Sequence, residues 1–336
     1  SGSRALIMRT SDRSNNLACG DRCTTTAVLA MVLLAWTYGV AAVETEVSID
    51  VAGGTLEGSL LVPDLKPTAA CGLIVAGSGP TDRNGNSALL PGRNNSLKYL
   101  AQGLQAQGVE TLRYDKRMVA ASTSANQSES TLRYEHYVDD AVALYRWLDQ
   151  RCSAPVFLLG HSEGGQIVLS AAAKVRPAGL VVLAGPGTHP ADLIATQLSA
   201  QLSGDTLAEA IAALETLRNG ETVESVPVGL ESLLRPSVQP YLISWFAHDP
   251  AQQIEGLSLP ILLLYGDTDL QVPVSEGELL ASRASQARLQ VIKGMNHVLK
   301  TADGGMAEQM ASYSDPSLPL ASGLLSAITD FMGLTP

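Results

Sequence analysis

The sequence predicts an α/β fold: a mostly parallel central sheet covered by helices, with a helical cap inserted late in the chain. Three observations carry this. Short apolar runs alternate with stretches of helical periodicity, the texture of βαβ units. A hairpin pattern of alternating apolar and polar residues precedes them, around Gly53-Gly54. Residues 186–258 then break the rhythm with helical patterns and no strand, and a structureless loop of that length would be unusual.

Taken in order, residues 43–50 and 55–63 read as the two arms of the hairpin. Residues 72–76, Gly-Leu-Ile-Val-Ala, read as a buried strand. Residues 95–107 read as a helix closed by Gly108, and 109–114 as the next strand. Residues 120–130 form a polar, Ser-rich loop. Residues 131–151 predict a long amphipathic helix with Tyr137, Ala141, Leu144 and Leu148 on one face. A strand over 155–159 leads into a helix rich in small residues over 163–174. Strands over 179–184, 260–265 and 287–292 complete the sheet, and a last helix covers 321–332. Inside the insertion, 192–202 and 207–217 are helical, followed by the aromatic piece Pro240-Tyr-Leu-Ile-Ser-Trp-Phe246. The expected organisation is a leader over 1–42, a sheet domain formed by 43–185 and 259–336, and a cap over 186–258.

The leader reads as a secretory signal peptide. Arg4, Arg9, Arg13 and Arg22 precede an uncharged apolar run that ends in Gly39-Val40-Ala41-Ala42, which predicts cleavage after Ala42 and a secreted or periplasmic protein. A retained membrane anchor is the alternative, but the apolar core is short and diluted by Thr37, Tyr38 and Gly39. No stable membrane partner is expected after removal of the signal. Without residues 1–42 the chain keeps 18 basic against 31 acidic residues. That balance argues against nucleic acid and anionic membranes as partners, since both require clustered Lys and Arg. It leaves the oligomeric state open. Cys71 and Cys152 remain, each just before a predicted strand. If those strands are sheet neighbours a disulfide is geometrically accessible, and otherwise both are buried thiols. No Cys/His spacing points to a metal site.

The chemistry centres on Gly160-His161-Ser162-Glu163-Gly164, a G-x-S-x-G motif lying directly after one predicted strand and directly before a helix. That context puts Ser162 on a sharp strand-to-helix turn as a nucleophile, near the positive end of the helix. Of the five histidines (His136, His161, His189, His248 and His297), His297 follows the last strand and is the expected base. The acid should follow the preceding strand, where Asp267 and Asp269 both stand. Asp269 is preferred, three residues after Gly266, and Asp267 reads as a turn residue. The order Ser…Asp…His is that of the α/β-hydrolase fold. Backbone N–H groups of Ser78, in the loop Gly77-Ser-Gly79-Pro80, and of Glu163 are the candidate oxyanion donors. Such a site is expected to work through an acyl-enzyme and to need no cofactor or metal. Asp82, Arg83, Asp115 and Arg117 read as an ion-pair network between loops, or, alternatively, as an Arg that recognises a substrate carboxylate.

Together, residues 77–86 (GSGPTDRNGN), 113–117 (RYDKR), 160–165 (GHSEGG) and 294–300 (GMNHVLK) resemble a family of bacterial α/β-hydrolase carboxylesterases. The resemblance covers nearly all of the chain after residue 42. It implies a serine carboxylesterase acting on short- to medium-chain esters, with Ser162, Asp269 and His297 in the roles above and a small-molecule ester as partner. One position departs: the family pattern places glycine after the Tyr-Asp-Lys-Arg segment, where Met118 stands here. The alternative within the fold is a serine peptidase or amidase, which would need an acidic residue such as Glu215 or Glu224 to hold a peptide terminus. A vestigial, non-catalytic site is a further alternative. The aromatic piece with Tyr241, Trp245 and Phe246 could wall an acyl pocket or simply pin the cap.

Overall fold

The hairpin enters the sheet first. In a computed structural model that describes residues 44–64, 67–125, 128–302 and 304–334, strands β1 (Glu44–Val51) and β2 (Gly54–Leu61) pair antiparallel across a turn. Gly53 and Gly54 carry that turn at φ 90° and 154°, which L side chains rarely adopt. The leader reading of residues 1–42 lies outside the described residues.

Strand β3 (Ala70–Val75), helix α1 (Ser96–Gln105), strand β4 (Val109–Tyr114), helix α2 (Tyr134–Asp149), strand β5 (Val156–His161), helix α3 (Glu163–Ala172) and strand β6 (Gly179–Leu183) follow. Five helices come next: α4 (Pro190–Ser199), α5 (Gly204–Arg218), α6 (Glu231–Leu234), α7 (Gln239–Phe246) and α8 (Pro250–Glu255). Strand β7 (Ile261–Gly266), helix α9 (Val274–Arg283), strand β8 (Ala287–Ile292), and helices α10 (Met306–Ser312) and α11 (Leu324–Phe331) close the chain. The sheet order is β1-β2-β4-β3-β5-β6-β7-β8. From β4 to β8 every pairing is parallel.

Strands β3 to β7 are buried along their whole length, which is why β3, β6 and β7 read as nearly continuous apolar runs; β4 is buried too although it carries Glu110, Thr111 and Arg113. Alternate residues feed opposite cores. Ile74, Leu159, Val181, Leu262 and Leu264 pack with Leu97, Leu100 and Leu104 of α1 and Leu324 and Ile328 of α11. Leu73, Leu158, Leu180, Val182 and Leu263 pack on the other face, in a core shared with α2, α3 and apolar residues of α4 to α8. The Ser-rich stretch is not irregular throughout. It holds two 3-10 turns, Ala120–Ala125 and Glu129–Thr131.

Because β3 and β5 are neighbours, Cys71 and Cys152 meet at the N-terminal ends of these strands. They form a disulfide with a Cα–Cα distance of 6.5 Å. The candidate chemistry lies at the opposite, C-terminal ends, where functional groups of open parallel sheets collect.

Candidate active site

Ser162 terminates β5 and caps α3 at φ 55°, ψ −125°, a conformation non-glycine residues rarely hold. Its backbone is braced on both sides: its N–H donates to Leu183 O at 2.9 Å, and Gly165 N–H donates to its carbonyl at 2.8 Å. The turn closes because Gly160 and Gly164, two residues away on either side, lack side chains. A Cβ on Gly160 would sit 2.1 Å from Gly164 O, and one on Gly164 would sit 2.3 Å from Val75 O.

His297 lies beyond β8. Its Nδ1 donates to Asp269 Oδ2 at 2.8 Å, and the other carboxylate oxygen of Asp269 accepts the N–H groups of Gln271 (2.8 Å) and Val272 (3.0 Å). Burial alone would raise the Asp269 carboxyl. The charge and hydrogen bond of His297, with the two backbone donors, outweigh it and hold the group below its ordinary value. Asp267 instead accepts Gly294 N–H at 2.5 Å and braces the loop that carries His297.

His161 does not join Ser162 chemically. Its Nε2 lies 2.7 Å from the carbonyl of His297, so the ring tethers the His297 loop to the strand end beside Ser162. Burial, then repulsion from His297, pushes its pKa down to about 3, so it donates from a neutral ring. The other histidines lie elsewhere. His136 accepts Arg133 N–H at the start of α2, His189 caps α4, and His248 pairs with Glu135.

Ser162, Ser78 and Glu163 line one cavity of about 500 Å³. Glu163 is the first residue of α3, so its N–H has no acceptor within the helix. Leu193, Ile194 and Leu198 of α4, Leu242 and Trp245 of α7 with Val238 just before it, and Met118, Val119 and Leu132 supply apolar lining. Met118 stands at φ 64°, in the left-handed region, which gives a physical reason why glycine suits this position.

The charged residues on the cavity wall are committed to one another or to the fold. Arg117 grips Asp140 with two 2.6 Å hydrogen bonds and also donates to Ala125 O and Ala52 O. Arg235 and Ser237 bind Glu129. Arg83 meets Asp115 and Glu46, and Asp82 accepts the N–H groups of Asn84 and Asn86. Of the four charged loop residues, Arg83 and Asp115 pair with each other, while Arg117 pairs with Asp140 and Asp82 accepts amide donors of its own loop, so their roles are structural but they do not form the single network expected. Glu215 and Glu224 are exposed and do not line the cavity.

Sequence reasoning missed three features. Glu276 accepts Gly187 N–H, Thr188 N–H and Thr188 Oγ1. Tyr241 Oη donates to Glu163 at 2.5 Å, and Lys116 pairs with the same carboxylate at 2.7 Å. Two of them carried a signal: Lys116, a lysine two residues past a buried strand inside the Arg113–Arg117 motif, and Tyr241, within the aromatic piece. Among the described residues, no group of three or more potential metal ligands converges.

A family model described as serine aminopeptidase, S33, matches residues 92–301. Esterase EstD of Thermotoga maritima is 26% identical over 270 residues, 76% of this chain. The chain spans 60% of the length of that curated relative. Est1E of Butyrivibrio proteoclasticus, solved with bound ferulic acid, superposes with a TM-score of 0.54 at 18% identity, covering 85% of this chain and 96% of Est1E. Proline iminopeptidase of Mycobacterium smegmatis superposes with a TM-score of 0.53 at 15% identity, covering 80% of this chain and 96% of that one. These structural likenesses establish a shared fold.

Proposed function

The chain belongs to the serine aminopeptidase S33 family of α/β hydrolases, and on that footing we propose that it is a serine carboxylesterase of short- to medium-chain esters. The observation that carries the reading is the Asp269–His297 hydrogen bond, on a loop that His161 ties beside the strained Ser162, which opens on an apolar cavity. Asp269 fixes the imidazole with its proton on Nδ1, leaving Nε2 as the base.

The reaction follows. Ser162 Oγ attacks the ester carbonyl carbon while its proton passes to His297. The oxyanion is held by the Ser78 and Glu163 N–H groups. The carbon–oxygen bond to the alcohol breaks, and His297 returns the proton to the departing alcohol. Water then attacks the acyl-enzyme with His297 again as base, releasing the acid and restoring Ser162. Residues 186–258 act as a cap, with α4 and α7 walling the acyl pocket.

The paired state of Arg117, Glu129, Glu163 and Arg235 favours an uncharged ester over a peptide terminus. A peptide N-terminus would need a free carboxylate, and its C-terminus a free cation. Export to an oxidising compartment, as residues 1–42 lead one to expect, is supported by the Cys71–Cys152 bond.

The test is hydrolysis of p-nitrophenyl esters from acetate to palmitate by wild type, Ser162→Ala and Asp269→Asn. The expected result is an optimum at short to medium chains, with losses of roughly three to four orders of magnitude in each variant. An inert wild type, or an active Ser162→Ala, refutes the reading.

A further inference from the structure

Lys116 is fully buried, with its ammonium between two segments that matter to Ser162. It donates to Gly77 O at 2.5 Å and to Glu163 Oε2 at 2.7 Å, and it lies 4.8 Å from the centroid of the Tyr137 ring. Tyr241 Oη of α7 completes the Glu163 carboxylate at 2.5 Å. A buried ion pair is weak evidence for stability, because apolar residues of similar volume usually serve as well. Its location calls for a different account.

We propose that Lys116 is the positioning residue of the oxyanion hole, fixing the two peptide groups that stabilise the tetrahedral intermediate; this rests on the assignment of Ser162 as nucleophile. The carbonyl of Gly77 and the N–H of Ser78 belong to one planar trans peptide group. Holding the carbonyl oxygen on the ammonium therefore aims the Ser78 N–H the opposite way, away from Lys116. A cation at the negative end of that peptide dipole also polarises the N–H and makes it a stronger donor to an oxyanion. The same ammonium grips the side chain of Glu163, whose own N–H is the second donor. One charged group thus sets the spacing and direction of both donors by gripping Gly77 and Glu163, 39 and 47 residues away from it in the chain. Tyr241 closes the arrangement from α7, so the far side of the Glu163 carboxylate is fixed as well.

The test uses Lys116→Met and the charge-balanced double variant Lys116→Met/Glu163→Gln. The readouts are thermal midpoint, ester hydrolysis, and the rate at which a fluorophosphonate labels Ser162. In that labelling Oγ bonds to phosphorus, fluoride leaves, the serine proton passes to His297, and the phosphonyl oxygen occupies the hole whatever the natural substrate is. Lys116→Met should lower both the labelling rate and kcat by about 10²-fold, the scale of a lost oxyanion donor, with KM changed less than about threefold. The double variant should regain most of the lost midpoint, because no charge is left unpaired, yet stay slow. Recovery of wild-type labelling in the double variant would overturn the proposal, as would a Lys116→Met loss confined to KM or to the midpoint. A wild type that labels fast but cleaves no ester refutes the esterase reading and leaves the labelling comparison to decide Lys116.

Discussion

Removing the Cys71–Cys152 bridge should cost stability and leave chemistry intact. The bond closes a loop with a sequence separation of 81 residues. On the chain-entropy view, a loop of that size lowers the entropy of the unfolded chain by about 15 cal/mol/K, or about 4.5 kcal/mol at 25 °C. Unfolding entropy near the midpoint is about 2 cal/mol/K per residue, so a domain of this size carries about 0.6 kcal/mol/K and the loss corresponds to about 7 °C. Cys71 is fully buried, so Cys71→Ala/Cys152→Ala adds a packing loss of about 1 kcal/mol. Wild type reduced with dithiothreitol isolates the cross-link from that packing term. The assay is calorimetry of oxidised wild type, reduced wild type and the double variant, with ester hydrolysis at 25 °C alongside. Because the bridge joins the N-terminal ends of β3 and β5, kcat should stay within twofold. Equal midpoints for oxidised and reduced protein would refute the entropic reasoning. A collapse of kcat at 25 °C would refute the separation of bridge and site.

The remaining predictions concern the cavity end. His161 has a folded pKa of about 3 against an ordinary 6.5, so between those values the unfolded chain binds more protons and acid destabilises the fold. The penalty is present below pH 6.5 and grows by about 1.4 kcal/mol per pH unit. His161→Asn keeps a donor for the His297 carbonyl and removes the titration, so between pH 7 and 5 it should lose about 2 kcal/mol less stability than wild type; parallel urea-midpoint curves would sink this. Met118→Gly should move the p-nitrophenyl ester optimum to chains longer by roughly two to three carbons, because a side chain lining the cavity is removed. Relief of left-handed strain, about 1 kcal/mol, should offset the entropy that glycine adds to the unfolded chain. An unchanged optimum with a lower midpoint would show that Met118 supports the fold alone.

Part of the fold and of the site is legible in the sequence, for identifiable reasons. Strands β3, β6 and β7 announce themselves because both faces are covered, so almost no polar residue interrupts them, whereas β4 carries Glu110, Thr111 and Arg113. The preference for Asp269 over Asp267 rested on the turn after Gly266, and the hydrogen bonds separate the two: Asp269 meets His297 and Asp267 meets Gly294. Helix α9 escaped the pattern because its buried face includes Glu276, which accepts backbone donors, and Gly277, where a Cβ would press on Tyr265. Neither looks apolar in sequence. The disulfide could not be decided, since β4 pairs between β2 and β3, and only that strand order makes β3 and β5 neighbours. Lys116 was legible as part of a motif but not as a bridge, because its partners, the Gly77 loop and the first residue of α3, are distant in the chain.

The conformation of Ser162 ties these features together. A non-glycine residue at such a φ and ψ costs of order 1–3 kcal/mol and persists only where its surroundings over-determine it. Here the next strand does part of that. Ser162 N–H is anchored on Leu183 O, and Ala184, which follows Leu183, takes a positive φ of 48° while its own N–H is anchored on Leu264 O. Two adjacent strands therefore end in left-handed residues, each pinned by a hydrogen bond to the next strand. Lys116 adds a hold from the other side, through Glu163 and Gly77. The strain thus sits at the C-terminal edge, where Ser162 must project, while the covalent cross-link sits at the N-terminal edge, where it distorts nothing the chemistry uses. Weakening the hydrogen-bonded edge should relax Ser162 before it unfolds the domain, whereas weakening the cross-linked edge should lower the midpoint before it slows the reaction.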